Sequence, residues 1–391
     1  MRRVDLSSAE LASSETARHI NREIILQLVR SRHPVSRAEL ARLSGLQRST
    51  VSQITEQLIK ERWVREGPTE ERPRGRRPTM IALNEDLAVL VADIHPRQVT
   101  VAMVDLNGRF LSRSLLPLRS DPARAVASIV QCMKRLRESQ PKKSLEGIGI
   151  STPGRVDPQT QLLIFAPNLK WPRFDIKSVI EREMRLRTEM ENAATACLMS
   201  ELWFGGMDGV RDAVLITVSE GIGGGILAGG QLISGQHGMA GEFGHIPIDP
   251  HGPRCACKQH GCWEVFASCT AALRYYKELD PKGSKPTFHD LLNRAEEGDA
   301  KAAAALAKQA QQIGKGLRVV TAALAPEMIL IAGDITSAWS RFAPIIKKEL
   351  AAQSLSGQSP RLVPTHEGEV ARLRGAAALL LQRHAMNRKL G

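Results

Sequence analysis

The chain is 391 residues long, 42% apolar, with a formal net charge of +13. That is room for two or three domains of an ordinary globular protein. No run of about eighteen apolar residues exists; the stretch closest to one, Leu87 to Leu106, is interrupted by Asp93, His95, Arg97 and Asp105. A membrane-spanning helix is therefore not expected. The opening residues, MRRVDLSSAELASSETAR, carry no apolar core behind their arginines, so the reading is no secretory leader and a cytoplasmic protein. Six cysteines, three of them in one short loop, suit a metal site in a reducing compartment better than a disulfide framework.

Positive charge is concentrated at the start. Residues 1–84 hold sixteen Lys/Arg against ten Asp/Glu, while the other 307 residues share a balance of +7. Such a patch suits nucleic acid when a fold accompanies it, and the pattern supplies one. Asn21 to Arg30 places Ile24, Ile25 and Leu28 on one helical face, and His33-Pro34 ends that helix. Ser36-Arg37-Ala38-Glu39 predicts a capping box that opens a short helix carrying Leu40 and Leu43. Gly45 makes a turn, and a third helix from about Gln47 to Lys60 buries Val51, Ile54 and Leu58. This is a helix-turn-helix pattern, with a plain helical bundle as the alternative. A recognition helix reads base edges with its N-terminal residues, so Gln47, Arg48, Ser49, Thr50, Ser52 and Gln53 are the candidate DNA contacts. Arginine suits guanine and glutamine suits adenine, whereas Ser49 and Thr50 suit phosphates.

Trp63-Val64-Arg65 and Thr79 to Leu83 are expected to form the two strands of a wing. Between them, Pro73-Arg74-Gly75-Arg76-Arg77-Pro78 resembles the core of an AT-hook. Prolines keep such a peptide extended, and Arg74, Arg76 and Arg77 would suit the negative potential of a narrow A/T-rich minor groove. A solvated basic loop is the alternative.

Further on, LAVLVADI, VTVAMVDL and FLSRSLLPL predict three strands, with Asn107-Gly108 as a hairpin turn. Ala123 to Glu138 reads as an amphipathic helix and LEGIGIS as a buried strand. A second unit follows: a hairpin in VLITVSEGIGGGILAGGQLI, a long helix from Lys301 to Leu324, and a strand in MILIAGD. Asp280 to Lys285 is expected to be an exposed loop. The class is α/β.

The densest chemistry lies between Gly221 and Glu264. His245, Cys255, Cys257 and Cys262 offer three thiolates and an imidazole in the spacing C-x-C-x4-C, with the histidine ten residues upstream. Those are the ligand types of a closed structural zinc site; a disulfide or four unrelated residues are the alternatives. Gly221-Ile222-Gly223-Gly224-Gly225, then Gly241-Glu242-Phe243-Gly244-His245, then the cysteine loop closing on Glu264 resemble the signature of the ROK family of repressors and sugar kinases. Lys258 departs from that signature, standing where the family carries glycine, while Gly261 is kept. The resemblance runs from about Leu83 to the C-terminus. It implies a two-lobed, actin-like (ribonuclease H-like) fold with a ligand cleft and a zinc loop. Residues 1–84 resemble the winged helix-turn-helix domain that the family's repressors carry and its kinases lack. The expected units are 1–84, a first lobe 85–190 and a second lobe 191–391, whose C-terminal helix can pack back on the first.

The resemblance also shows what this cleft lacks. A phosphate-wrapping D-x-G-G-T turn reads Asp93-Ile94-His95-Pro96-Arg97 here, and proline has no N–H to offer. The family's general base is missing from Glu191-Asn192-Ala193, where Ala193 has only a methyl group. Its G-T-G-I-G turn reads Ser219-Glu220-Gly221-Ile222-Gly223, setting a carboxylate against phosphate. The sugar-holding positions fare better: Asn168, Asn192, Glu242, His245 and Glu264 match, and His245 can bind zinc through one nitrogen and face a sugar with the other. The implied protein is a non-enzymatic transcriptional regulator, a repressor of carbohydrate genes. It would be a homodimer or homotetramer on a palindromic A/T-rich operator, carrying structural zinc and answering to a sugar or sugar derivative. The rivals are an ATP-dependent sugar kinase and a regulator governed by a protein partner.

Overall fold

The computed structural model describes residues 14–69, 78–166, 168–207, 209–352, 359–365 and 370–387. The chain opens with α1 (Ser14–Arg32), β1 (Val35–Ser36), α2 (Arg37–Ser44), α3 (Arg48–Lys60), β2 (Val64–Thr69) and β3 (Thr79–Leu83). The three strands form one small sheet in the order β1-β3-β2, so the unit is a winged helix-turn-helix. Gly45 ends α2 at φ +70°, the left-handed region that favours glycine.

Three local expectations are corrected. The buried stripe of α1 is Ile25, Leu26 and Val29, with Ile24 and Leu28 half-buried. Other faces of the head and the first lobe cover α1 together, which turns the stripe by one position. Leu43 is 37% exposed, because the two-turn α2 shows only Leu40 and Ala41 to the core. Half of the capping box forms: Ser36 Oγ accepts the Glu39 N–H at 3.2 Å, while the Glu39 carboxylate lies 3.6 Å from Arg42.

The body consists of two lobes with one topology. The first holds β4 (Leu87–Ile94), β5 (Gln98–Asp105), β6 (Phe110–Pro117), α4 (Pro122–Ser139), β7 (Ser144–Thr152), β8 (Arg155–Val156), β9 (Leu163–Phe165), α5 (Ile176–Met184) and β10 (Thr188–Asn192). After α6 (Ala193–Phe204), the second holds β11 (Ala213–Val218), β12 (Ile222–Ala228), β13 (Gln231–Leu232), α7 (Glu264–Ala267), α8 (Cys269–Leu279), α9 (Phe288–Glu296), α10 (Ala300–Leu324), β14 (Met328–Gly333), α11 (Trp339–Ala351) and β15 (Arg361–Pro364). The chain then enters α12 (Ala371–Asn387). One sheet runs β6-β5-β4-β7-β10 and the other β13-β12-β11-β14-β15. In each, an antiparallel meander is followed by two strands added in parallel. This duplication is the two-lobed actin-like plan. All eight residues of β4 are buried, which is why its sequence is apolar on both faces, Asp93 apart, rather than alternating.

Two helices sit where the lobes meet. α6 packs on the second sheet through Ala194, Cys197 and Leu198. α12 packs on the first through Leu373, Ala376, Ala377 and Leu380. They cross at Gly375, where an added Cβ would stand 1.6 Å from the Ala196 carbonyl oxygen. The head is not a loose appendage, because Ile25, Leu40, Val51 and Trp63 share one core with β4, β5 and α12. No helix among the described residues is long and apolar enough to cross a membrane.

Candidate metal centre, ligand cleft and nucleic-acid interface

The segment between β13 and α7 has little regular structure and is fixed by packing. Trp263 is its anchor: the indole is buried, its N–H donates to the Gln312 carbonyl at 2.8 Å, and a Cβ on Gly316 would come within 1.9 Å of the ring. At Gly261 a Cβ would lie 1.4 Å from the Asp249 carbonyl oxygen, so only glycine fits. Lys258 takes φ +75°, a conformation glycine adopts without strain and a lysine rarely does.

These constraints gather His245, Cys255, Cys257 and Cys262, whose ligand atoms all lie within 4.8 Å of one another. Cys257 Sγ is 3.5 Å from Cys262 Sγ, and His245 Nδ1 is 3.7 Å from Cys255 Sγ. A tetrahedral zinc with Zn–S bonds of about 2.3 Å spaces its sulfurs by about 3.8 Å, so the cluster fits that ion. Burial pushes the Cys255 and Cys262 thiols up; a bound metal would displace their protons. Cys257→Ser is expected to lose most of its zinc and to weaken ligand response before DNA binding. Metal analysis by mass spectrometry checks this, and undiminished zinc would refute the ligand set.

The same segment builds one wall of a cleft. Glu264 Oε2 accepts the Ile222 N–H at 3.0 Å, and Oε1 lies 3.7 Å from Cys255 Sγ. One carboxylate thus ties the cysteine loop to the glycine turn between β11 and β12. Glu242 Oε2 is 3.7 Å from His245 Nε2, the ring nitrogen opposite the one that faces Cys255. Burial pushes the Glu242 carboxyl up against the pull of His245 and Arg155, and Glu264 adds to the rise. On the facing wall Asn192 caps α6: its Oδ1 accepts the Thr195 N–H at 2.9 Å, and its Nδ2 donates to Thr195 Oγ1 and Glu191 Oε1. Ala193 follows as the first helical residue. Asn168, Asn192, Ala193, Glu242, His245 and Glu264 line one cavity of about 110 Å³, together with Pro153, Gly154 and Phe165. Pro167, next to Asn168, lies outside the described residues.

Two departures noted in the sequence turn out to be partners. Glu220, in the turn between β11 and β12, reaches His95 Nε2 at 3.1 Å and Arg97 Nε at 3.7 Å, both in the turn after β4. The pair joins the two lobes. Burial opposes ionisation of Glu220, but the His95 hydrogen bond and charge, with Arg97, outweigh it and hold the carboxyl down at about 2. Nearby, Arg372 of α12, which lines the cavity, lies 3.1 Å from the buried Asp93. Because the folded value lies below the ordinary 4.5, the clasp adds stability above about pH 4.5 and loses it progressively toward about pH 2. In urea titrations the stability gap between wild type and Glu220→Gln is expected to shrink over that window. A gap that grows on acidification would contradict the assignment. Sequence could flag His95 and Glu220 singly, but nothing in it signalled that they meet.

In the head, α3 presents a polar face. Gln47 is its N-cap residue and makes no capping bond with its side chain, and no acidic residue occupies the first turn. The positive end of the helix is therefore available to phosphate. Gln47, Arg48, Ser49 and Gln53 are exposed, and Thr50 and Ser52 are half-buried. Arg74, Arg76 and Arg77 lie outside the described residues. One contact the sequence did not reveal joins head to body: the Arg30 guanidinium of α1 lies 4.4 Å from the Trp203 ring centroid and donates to the Leu202 carbonyl at 3.2 Å.

A two-lobed kinase-like body with a winged helix-turn-helix head defines the class. Residues 91–383 match the model of the ROK family, and residues 23–68 match the IclR helix-turn-helix domain. The chain belongs to the ROK family. It is 29% identical to the xylose repressor of Bacillus subtilis (strain 168), over 95% of this chain and 97% of that protein. The crystal structure of a ROK family transcriptional regulator, a homologue of the E. coli MLC protein, superposes with a TM-score of 0.80 at 26% identity, covering 95% of this chain and all of that one. A ROK family glucokinase from Streptomyces griseus, solved with glucose and AMPPNP, gives 0.68 at 28% identity, over 75% of this chain and 99% of that one.

Proposed function

We propose that this protein is a sequence-specific DNA-binding repressor of carbohydrate uptake or metabolism genes, controlled by a sugar in the small cavity. The observation that carries the reading is the continuity between cavity and head. α6 is capped by Asn192 in the cavity and carries Trp203 in its last turn, against which the Arg30 guanidinium of the head lies. A ligand that alters the N-terminus of α6 has a packed helix through which to reach α1, and sugar could then change how two heads are spaced on DNA. Repression by the B. subtilis relative, which spans almost the same length, supports this.

In this reading residues 1–84 are the DNA-binding unit, 85–190 the first lobe and 191–391 the second, with α12 returned to the first. Asn168, Asn192, Glu242, His245 and Glu264 hold sugar hydroxyls. Zinc at His245, Cys255, Cys257 and Cys262 orders the loop that carries Glu264 and does no chemistry. Gln47, Arg48, Ser49, Thr50, Ser52 and Gln53 meet the operator, and Arg74, Arg76 and Arg77 enter an A/T-rich minor groove. A homodimer or homotetramer in the cytoplasm on a palindromic site fits the symmetry of such operators.

The kinase neighbours make phosphoryl transfer the reading to test against. It lacks a base at Ala193, and the clasp stands where phosphate would pass. A coupled ADP-release assay over xylose, glucose and amino sugars is expected to show no turnover. Turnover that disappears in Asn192→Ala would overturn the proposal.

A further inference from the structure

His95, Ser219, Glu220 and Arg372 line both the small cavity and a larger one of about 1150 Å³. The clasp is thus a partition between the two. We propose that the His95–Glu220–Arg97 clasp is a specificity filter that restricts the small cavity to neutral, unphosphorylated sugars and shuts out sugar phosphates. This rests on that cavity being the effector site.

Charge supports it first. Asp93 is paired with Arg372, and Glu220 with His95 and Arg97, so these three cations already have carboxylate partners. Asp334 adds a third carboxylate at the rim of the larger cavity. Burial, with Glu220 adding to the rise against the pull of Arg372 and His95, pushes the Asp334 carboxyl up. A phosphate brought here would face ionised Glu220, while His95, Arg97 and Arg372 are already engaged by carboxylates.

Backbone donors support it second. A phosphate cradle needs N–H groups pointing at the ligand. In the turn around Glu220 the Ser219 N–H donates to the Gly221 carbonyl, the Ile222 N–H to Glu264, and the Gly223 N–H to Thr217 Oγ1. Those donors are spent inside the protein. The side chains of Ala193, Ile94 and Pro96, which line the same cavity, are apolar. Hydroxyl groups tolerate such a wall, whereas a dianion does not.

Calorimetry on the full-length protein tests the filter with D-xylose, D-glucose and N-acetyl-D-glucosamine set against glucose 6-phosphate, N-acetylglucosamine 6-phosphate and inorganic phosphate. Wild type is expected to bind at least one free sugar and to bind the phosphates about a hundredfold more weakly or not at all. Glu220→Gln frees His95 and Arg97 and is expected to gain phosphate affinity at least about tenfold, a gain that adding Arg97→Ala removes. A wild type that binds a sugar phosphate as tightly as its parent sugar overturns the filter and leaves the sugar-controlled repressor standing. If wild type binds no sugar but Glu220→Gln gains phosphate, the filter stands and the sugar-effector reading falls. Should neither protein bind anything, both fall. The wild-type comparison needs no variant, and retained operator binding verifies that each variant is folded.

Discussion

Gly375→Ala is expected to destabilise the protein by about 2–3 kcal/mol, the reverse of what helix propensity dictates. In an exposed helix the same change stabilises by about 1 kcal/mol, because alanine loses less backbone entropy. Here the new Cβ would stand 1.6 Å from the Ala196 carbonyl oxygen and 2.3 Å from its carbon. Both are backbone atoms of α6 and cannot swing aside. α12 must therefore move off α6, opening the interface between lobes and loosening Leu373, Ala376 and Leu380 from the core shared with the head. Urea titration should show a lower midpoint, and the sugar response should weaken more than operator affinity. A higher midpoint would mean that the helices do not cross so closely.

The second large effect concerns DNA. The double variant Arg48→Ala, Gln53→Ala is expected to lose operator affinity by about a hundredfold or more, because each good contact to a base edge discriminates by about 1–3 kcal/mol. Both side chains are exposed on α3 and alanine is an excellent helix former, so the head should fold normally. Non-specific DNA binding should fall far less, and its salt dependence should drop by about the single phosphate-range charge removed. Fluorescence anisotropy on operator and scrambled duplexes measures both. Equal losses on the two duplexes would mean that α3 holds the backbone and another element reads the bases.

Features carried by one local segment were legible in the sequence. The metal ligands His245, Cys255, Cys257 and Cys262 fall within one stretch, so their spacing alone points to the cluster the structure assembles. β4 reads as a buried strand because its first six residues, Leu87 to Ala92, are all apolar, and α3 as a helix because Val51, Ile54 and Leu58 recur at helical spacing. Features that need two distant segments were not legible. β1 is two residues long and exists only because Val35 and Ser36 pair with Ile81 and Met80. The stripe of α1 was misread by one position because the first lobe shares in covering it. His95 and Glu220 were visible as odd residues in two turns, yet only the closed cleft makes them a pair. Asn192 was expected to face a ligand; its side chain is already capping α6, a duty that couples any ligand there to the helix itself.

The central claim is that sugar in the body controls sequence-specific DNA binding by the head. The most direct measurement is to select duplexes from random-sequence DNA with the purified protein, then titrate the enriched duplex in the presence of D-xylose, D-glucose and N-acetyl-D-glucosamine. The account predicts an enriched site with two-fold symmetry and A/T-rich character, released when one of these sugars is added. No enriched sequence, or an enriched one whose binding none of the sugars alters, would contradict it.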